Sequence, residues 1–193
     1  VYVSESFLEK CSCREHLEEV GYEVVSDSVF SKISDTCTPQ GVLCVLKQFH
    51  YNIEEMLRDK APLFLLLENI QDPGNLGTML RTGEGAGVSG IIMSRDTVDL
   101  YNPKVIRSTM GSIYRVPFYY ADDFAAAVHQ VQQTGVSVYA AHLRGKNSYA
   151  CQDYTKGTAF LIGNEGNGLR EETAELADCY IRIPMEGKVE SLN

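Results

Sequence analysis

The stretch LFLLLENIQDPGNLGTMLRTGEGA, Leu63 to Ala86, decides how the rest of the chain is read. Leu63–Leu67 is an unbroken apolar run of strand length, the pattern of a parallel strand covered on both faces. The turn residues Asp72-Pro73-Gly74-Asn75 follow, and a helical segment continues to about Ala86. Beyond it the same alternation repeats. Gly90–Met93 reads as a strand, and Asn102-Pro103 opens a helix with Asn as N-cap and Pro in the first turn. Asp122 or Asp123 caps Phe124–Gln133, which stops at Gly135. Val136–Ala141 and Ala159–Ile162 read as strands, 170–177 as a helix, and Tyr180–Ile183 as the last strand. Strands alternating with helices predict a parallel α/β sheet flanked by helices.

Upstream of Leu63 the pattern changes. Short strands are predicted at Val1–Val3, Tyr22–Val25 and Gly41–Leu46, with a helix around Cys13–Val20. A short helical stretch, Ile53–Arg58, precedes Pro62, which a helix cannot continue through. We therefore divide the chain into a small domain at 1–47, a linker at 48–61 and a larger domain at 62–193.

Composition narrows the function classes. The 193 residues are 44% apolar and 22% charged, ordinary values for a folded chain. No apolar run approaches the roughly 20 residues that span a bilayer, and no secretory leader is visible, so a cytoplasmic protein without a membrane partner is expected. The net charge of −9 argues against binding nucleic acid by bulk positive charge. Between Arg95 and Arg115, however, four basic residues face two acids, a local +2 (4 − 2). The six cysteines form no C-x-x-C pair and have no histidine at metal-ligand spacing, so reduced thiols and no metal are expected. A chain starting at Val1 rather than Met is expected to be part of a longer product.

Two glycine-rich segments invite a nucleotide reading. Gly83-Glu84-Gly85-Ala86-Gly87 ends a helix and precedes a strand, the reverse of a dinucleotide fingerprint, and reads as a helix C-terminus. Gly163-Asn164-Glu165-Gly166-Asn167-Gly168 lies after a strand and before a helix, where open α/β sheets bind ligands. Its G-x-x-G-x-G spacing suits either a plain tight turn or a loop whose backbone approaches a ligand closely. A Rossmann oxidoreductase lacks its G-x-G-x-x-G here. In the third segment, Ile183 to Asn193, a strand runs into a Pro-containing loop ending Ser191-Leu192-Asn193.

Three segments together resemble the SpoU/TrmH family of RNA ribose 2′-O-methyltransferases, of the SPOUT superfamily: Glu68 to Thr82, Leu161 to Leu169, and Ile183-Pro184-Met185-Glu186-Gly187 through Ser191-Leu192-Asn193. The resemblance covers about 62–193. It implies a C-terminal trefoil knot, an exception to the rule that chains are unknotted. It also implies a homodimer with active sites near the subunit interface and S-adenosylmethionine as cofactor. Residues 1–47 are similar to the C-terminal part of the L30e-like RNA-binding domain that often precedes this catalytic domain. The family continues beyond the position of Asn193 into a final helix, which the 62–193 domain is expected to lack.

The resemblance implies an enzyme that methylates a ribose 2′-hydroxyl of RNA, with ribosomal RNA favoured over transfer RNA. It marks Asn75, Arg81, Glu165, Ser191 and Asn193 as catalytic, and Leu143, Gly163, Ile183 and Leu192 as cofactor contacts. Arginine stays protonated in proteins, so Arg81 is expected to bind the target phosphate and stabilise a developing alkoxide. Glu165 is expected to accept the proton or to orient Arg81. Blander roles stand beside these: a surface ion pair for Arg81, a solvent-facing loop acid for Glu165, helix capping for Ser191 and Asn193. The competing function is a non-catalytic RNA-binding or ribosome-assembly protein on the same fold.

Overall fold

Local sequence signals account for most of the secondary structure in the computed structural model, which describes residues 1–58 and 61–187. The chain divides into two compact units, residues 1–49 and 50–193.

The first unit holds β1 (Tyr2–Ser4), α1 (Glu5–Lys10), α2 (Arg14–Val20), β2 (Glu23–Val25), α3 (Asp27–Ile33) and β3 (Val42–Leu43). Its sheet has the order β2-β1-β3, with β1 parallel to β2 and antiparallel to β3. The helices α1 and α3, not anticipated from periodicity, start at serine caps. Ser4 accepts from the Phe7 amide and Ser26 from the Val29 amide. The strand expected over Gly41–Leu46 shrinks to two residues, and Val45 and Leu46 beyond it are exposed.

The second unit contains α4 (Ile53–Met56), β4 (Leu63–Leu67), α5 (Pro73–Ala86), β5 (Gly90–Ser94), α6 (Pro103–Ser108) and β6 (Phe118–Ala121). It continues with α7 (Phe124–Gln133), β7 (Ser137–Ala141), β8 (Asn147–Ser148), β9 (Thr158–Ile162), α8 (Glu171–Ala174) and β10 (Cys179–Arg182). Seven strands form one sheet, ordered β6-β5-β4-β9-β7-β10-β8, and every pair is parallel. Leu65 of β4 is in register with Ile91 on one side and Phe160 on the other, so β4 is central. That position explains the apolar run: Phe64, Leu66 and Leu67 are fully buried. The stretch read as a linker contributes Ile53 and Met56 to this core.

The helix α5 follows the sequence signals closely. Asp72 caps it by accepting from the Asn75 amide, and Pro73 stands in the first turn. It ends at Gly87, left-handed with φ 75°, whose amide bonds the Glu84 carbonyl while Val88 bonds Gly83. The segment Gly83–Gly87 is thus a helix C-terminus. The helix expected over 170–177 is shorter, with four helical residues and Arg170 as its N-cap. Among the described residues no helix is long and apolar enough to cross a membrane.

Strand order fixes where a ligand would bind. From β4 the chain moves outward through β5 to β6, and β7, β9 and β10 lie on the other side of β4. The boundary between β4 and β9 is therefore a topological switch point, where loops at the carboxyl ends of adjacent strands diverge and leave a crevice.

Candidate functional site

Two segments that the sequence marks leave the sheet at that crevice: 68–75 after β4, and 163–168 after β9. They are tied together by side chains about ninety residues apart in sequence. The Glu165 carboxylate accepts the backbone N–H of Gln71 at 3.1 Å and of Asp72 at 3.0 Å, and the Asn75 side-chain amide at 3.3 Å. Asn164 donates its side-chain amide to the Asn69 carbonyl at 2.8 Å. Its Oδ1 accepts from the amides of Gly166 and Asn167, both at 3.0 Å, and so shapes its own loop. Gln71, Asp72, Pro73, Asn75, Asn164, Glu165 and Gly166 line an open cleft of about 600 Å³.

Backbone geometry supports the clamp. Asn69 takes a left-handed conformation, φ 53°, and its amide bonds the Ser94 hydroxyl at 2.8 Å. The 163–168 loop closes on itself through paired backbone bonds between Asn164 and Gly168, at 3.0 and 2.9 Å. A Cβ on Gly163 would lie 2.2 Å from the Gly168 carbonyl carbon and the Leu169 nitrogen. Gly163 is required by the close approach of backbone to backbone.

Partial burial pushes the Glu165 carboxyl up, but the amides of Glu165 itself, Asp72 and Gln71 and the Asn75 side chain together hold it below the usual range. A carboxylate so well supplied with donors is a weak proton acceptor. Arg81 is not among its partners, so of the two roles expected for Glu165 the orienting of Arg81 is not seen. Arg81 itself is exposed on α5 and has no ion-pair partner among the described residues. Six residues separate it from Asn75, about 120° around the helix at 3.6 residues per turn. The two side chains thus leave α5 in different directions.

Three of the four expected cofactor residues follow the carboxyl ends of neighbouring strands. Gly163 follows β9, Leu143 lies two residues beyond β7, and Ile183 directly follows β10; these three strands are contiguous. Leu143 and Ile183 are 65% and 54% exposed. The loop carrying Leu143 is pinned to β10, with the His142 amide bonding the Ile181 carbonyl at 3.0 Å. Ser191, Leu192 and Asn193 lie outside the described residues.

Sequence reasoning assigned no role to four residues that tie the neighbouring segments together. Glu68, 1% exposed, accepts the Arg170 amide at 2.8 Å and the Thr173 hydroxyl at 2.5 Å. The Arg170 guanidinium bonds Asp96 and stands 3.6 Å from Glu68. Glu68 directly follows an apolar strand, and an acid so placed was the available signal. Among the described residues no group of three or more His, Cys, Asp or Glu could hold a metal ion.

A parallel sheet with interlocked loops at its switch point defines an α/β ligand-binding domain. The family is specific: residues 62–193 match the model of the SpoU rRNA Methylase family, and the chain belongs to that family. It is 34% identical over 170 residues to the 23S rRNA (guanosine(2553)-2′-O)-methyltransferase RlmP of Bacillus subtilis, covering 88% of this chain and 66% of that protein. It is 31% identical to the 23S rRNA (guanosine-2′-O-)-methyltransferase RlmB of Neisseria meningitidis, covering 83% of this chain and 66% of that one. The chain thus spans just under two thirds of these relatives. Among solved structures it resembles the AdoMet-bound rRNA methyltransferase from Sinorhizobium meliloti, with TM-score 0.82 and 32% identity over 100% of this chain and 74% of that one. AviRb from Streptomyces viridochromogenes shares the fold, with TM-score 0.86 and 22% identity over 100% and 74% of the two chains.

Proposed function

We propose that this protein is an S-adenosylmethionine-dependent RNA ribose 2′-O-methyltransferase acting on ribosomal RNA. The observation that carries the reading is the Glu165 clamp, which joins two of the three sequence segments on which the resemblance rests into one cleft. The names of the two relatives, both 23S rRNA 2′-O-methyltransferases, support the choice of RNA class.

The residues present fit the cofactor. Leu143 and Ile183 offer exposed aliphatic surface suited to the faces of an adenine, and Gly163 lets the loop after β9 fold tightly back on itself. S-adenosylmethionine supplies an activated methyl group carried on a positively charged sulfur. The protein supplies position and electrostatics. Glu165 fixes the start of α5 and the Asn75 amide. Arg81 offers an always-charged, planar guanidinium to the target phosphate and to negative charge developing on the ribose oxygen. Ser191, Asn193 and Leu192 take their proposed roles from the resemblance: the first two orient the target or the cofactor, the third contacts the adenine.

The finer reading also comes from the resemblance: a trefoil knot in the C-terminal segment, an L30e-like RNA-binding domain at the N-terminus, a homodimer, and a cytoplasmic location. Leu76 and Leu80 of α5 are buried in the chain's own core, so a dimer contact through α5 would use its other faces. Mapping ribose methylation in RNA from cells with and without the gene tests the function. A ribosomal RNA position that loses its 2′-O-methyl group supports it; an unchanged map favours the non-catalytic RNA-binding reading.

A further inference from the structure

Charge is unevenly spread along this acidic chain. From Leu100 to Ala121 there is no Asp or Glu, yet the stretch carries Lys104, Arg107 and Arg115. It contains α6 and the 3₁₀ turn Ser112–Tyr114, and both pack against α5. The α5 segment itself holds one acid, Glu84, and one base, Arg81. Arg115 and the Ser112 hydroxyl both bond Glu84, so that acid is already neutralised. Arg81, Lys104 and Arg107 are exposed and appear in no ion pair among the described residues.

The packing brings these cations to one seam. The Ser108 hydroxyl donates to the Pro73 carbonyl at 3.1 Å, and a Cβ on Gly77 would lie 1.7 Å from that hydroxyl oxygen. One end of α5 is thus pressed against Ser108, and Glu84 further along meets Ser112 and Arg115. Arg81 comes one turn after Gly77 and three residues before Glu84. It therefore flanks the intervening 109–111 stretch. In the middle of that stretch stands Met110, 71% exposed and left-handed at φ 51°, followed by Gly111 at φ 89°. A non-glycine residue in that conformation holds a local strain of the kind found at functional surfaces.

We propose that this seam is a docking track for the phosphate backbone of an RNA strand, with Arg81, Lys104 and Arg107 as its cations and Met110 as an apolar contact for an unstacked base. The proposal rests on the RNA-methyltransferase reading and deepens it. Charge complementarity selects the occupant: three cations with no ion pair among the described residues, in a chain of net charge −9, suit a polyanion. A protruding thioether beside them suits the face of a base better than a phosphate.

The test is binding of the full-length protein to a fluorescein-labelled 40-nucleotide RNA hairpin of mixed sequence, followed by anisotropy across a salt series. Arg107→Glu and Lys104→Glu, each on the exposed side of α6, are expected to weaken binding roughly tenfold or more at moderate salt. Each should also make the salt dependence shallower by about one unit of slope per lost phosphate contact. Lys156→Glu, just before the central strand β9 and separated by β4 from the strands β5 and β6 that α6 connects, should leave affinity unchanged. S-adenosylmethionine binding by calorimetry should be the same in all three variants. If Arg107→Glu and Lys104→Glu bind the hairpin like the parent, the track is overturned while intact cofactor binding leaves the enzyme reading standing. If they instead change the sedimentation of the protein and not its RNA affinity, the seam is a protein contact and the proposal falls. A parent protein that binds neither hairpin nor cofactor would overturn the enzyme reading itself.

Discussion

Glu165 is more informative for its partners than for its charge. A carboxylate bonded by two loop amides and the Asn75 side chain holds the start of α5 in place. Glutamine keeps the size but replaces one acceptor oxygen with a donor, so one loop amide would face another donor. Glu165→Gln is therefore expected to lower methyl transfer about tenfold or more, by loosening the cleft. Because the carboxyl is held below the usual range, the loss should stay flat from pH 6 to 9. A loss that shrinks steadily as pH rises would make Glu165 the proton acceptor instead. Glu84 gives a stability test. Its hydrogen bonds from Arg115 and then Ser112 hold its carboxyl at about 2, down from the ordinary 4.5. The folded value is depressed, so the stabilisation is complete above pH 4.5 and is lost as pH falls toward 2. The melting-temperature gap between the parent and Glu84→Gln should accordingly narrow over that interval; a constant gap would show that the pair does not act through charge.

At the scale of elements, the glycines separate positions where backbone meets backbone from positions with slack. A Cβ at Gly163 would collide with main chain of the Gly168–Leu169 peptide, which cannot step aside without opening the loop. Gly163→Ala should cost on the order of 3 kcal/mol. At Gly90 the nearest atom is the terminal methyl of Met56, at 2.2 Å, and that side chain is flexible. Gly90→Ala should cost about 1 kcal/mol or less. Equal losses for the two in urea denaturation would contradict this assignment. The same contrast explains what was legible in the sequence. β4 announces itself by five consecutive apolar residues because both its faces are covered, and α5 by Asp72 and Pro73 at its start. The strand β6 was missed: it lies at the sheet edge, pairs with β5 alone among the described residues, and follows Pro117 with a half-buried aromatic pattern. α1 buries no residue and α3 buries only Phe30, so neither has the apolar stripe that periodicity detects. The clamp was illegible for another reason. Its residues stood out as motif members, but which amides Glu165 would meet, 93 and 94 positions away, depends on β4 and β9 lying side by side. Nothing local specifies that pairing.

At the scale of the whole molecule, the sheet order makes the site. Gly163, Leu143 and Ile183 come from loops far apart in sequence and reach the same end of the sheet because β9, β7 and β10 are neighbouring parallel strands. Arg81 is presented separately, by a helix on the other side of the β4–β9 boundary. On the proposed roles, cofactor binding and target activation fall to different parts of the fold and should be separable by mutation. The most direct measurement is transfer of a labelled methyl group from S-adenosylmethionine to ribosomal RNA, comparing the full-length protein with Arg81→Ala and reading cofactor affinity alongside. The parent should form 2′-O-methylribose at a defined position. Arg81→Ala should bind cofactor as tightly yet transfer methyl roughly a hundredfold or more slowly, the size of losing one preorganised charge. No 2′-O-methylribose from the parent, or near-parental turnover by Arg81→Ala on the methylated RNA, would contradict the assignment.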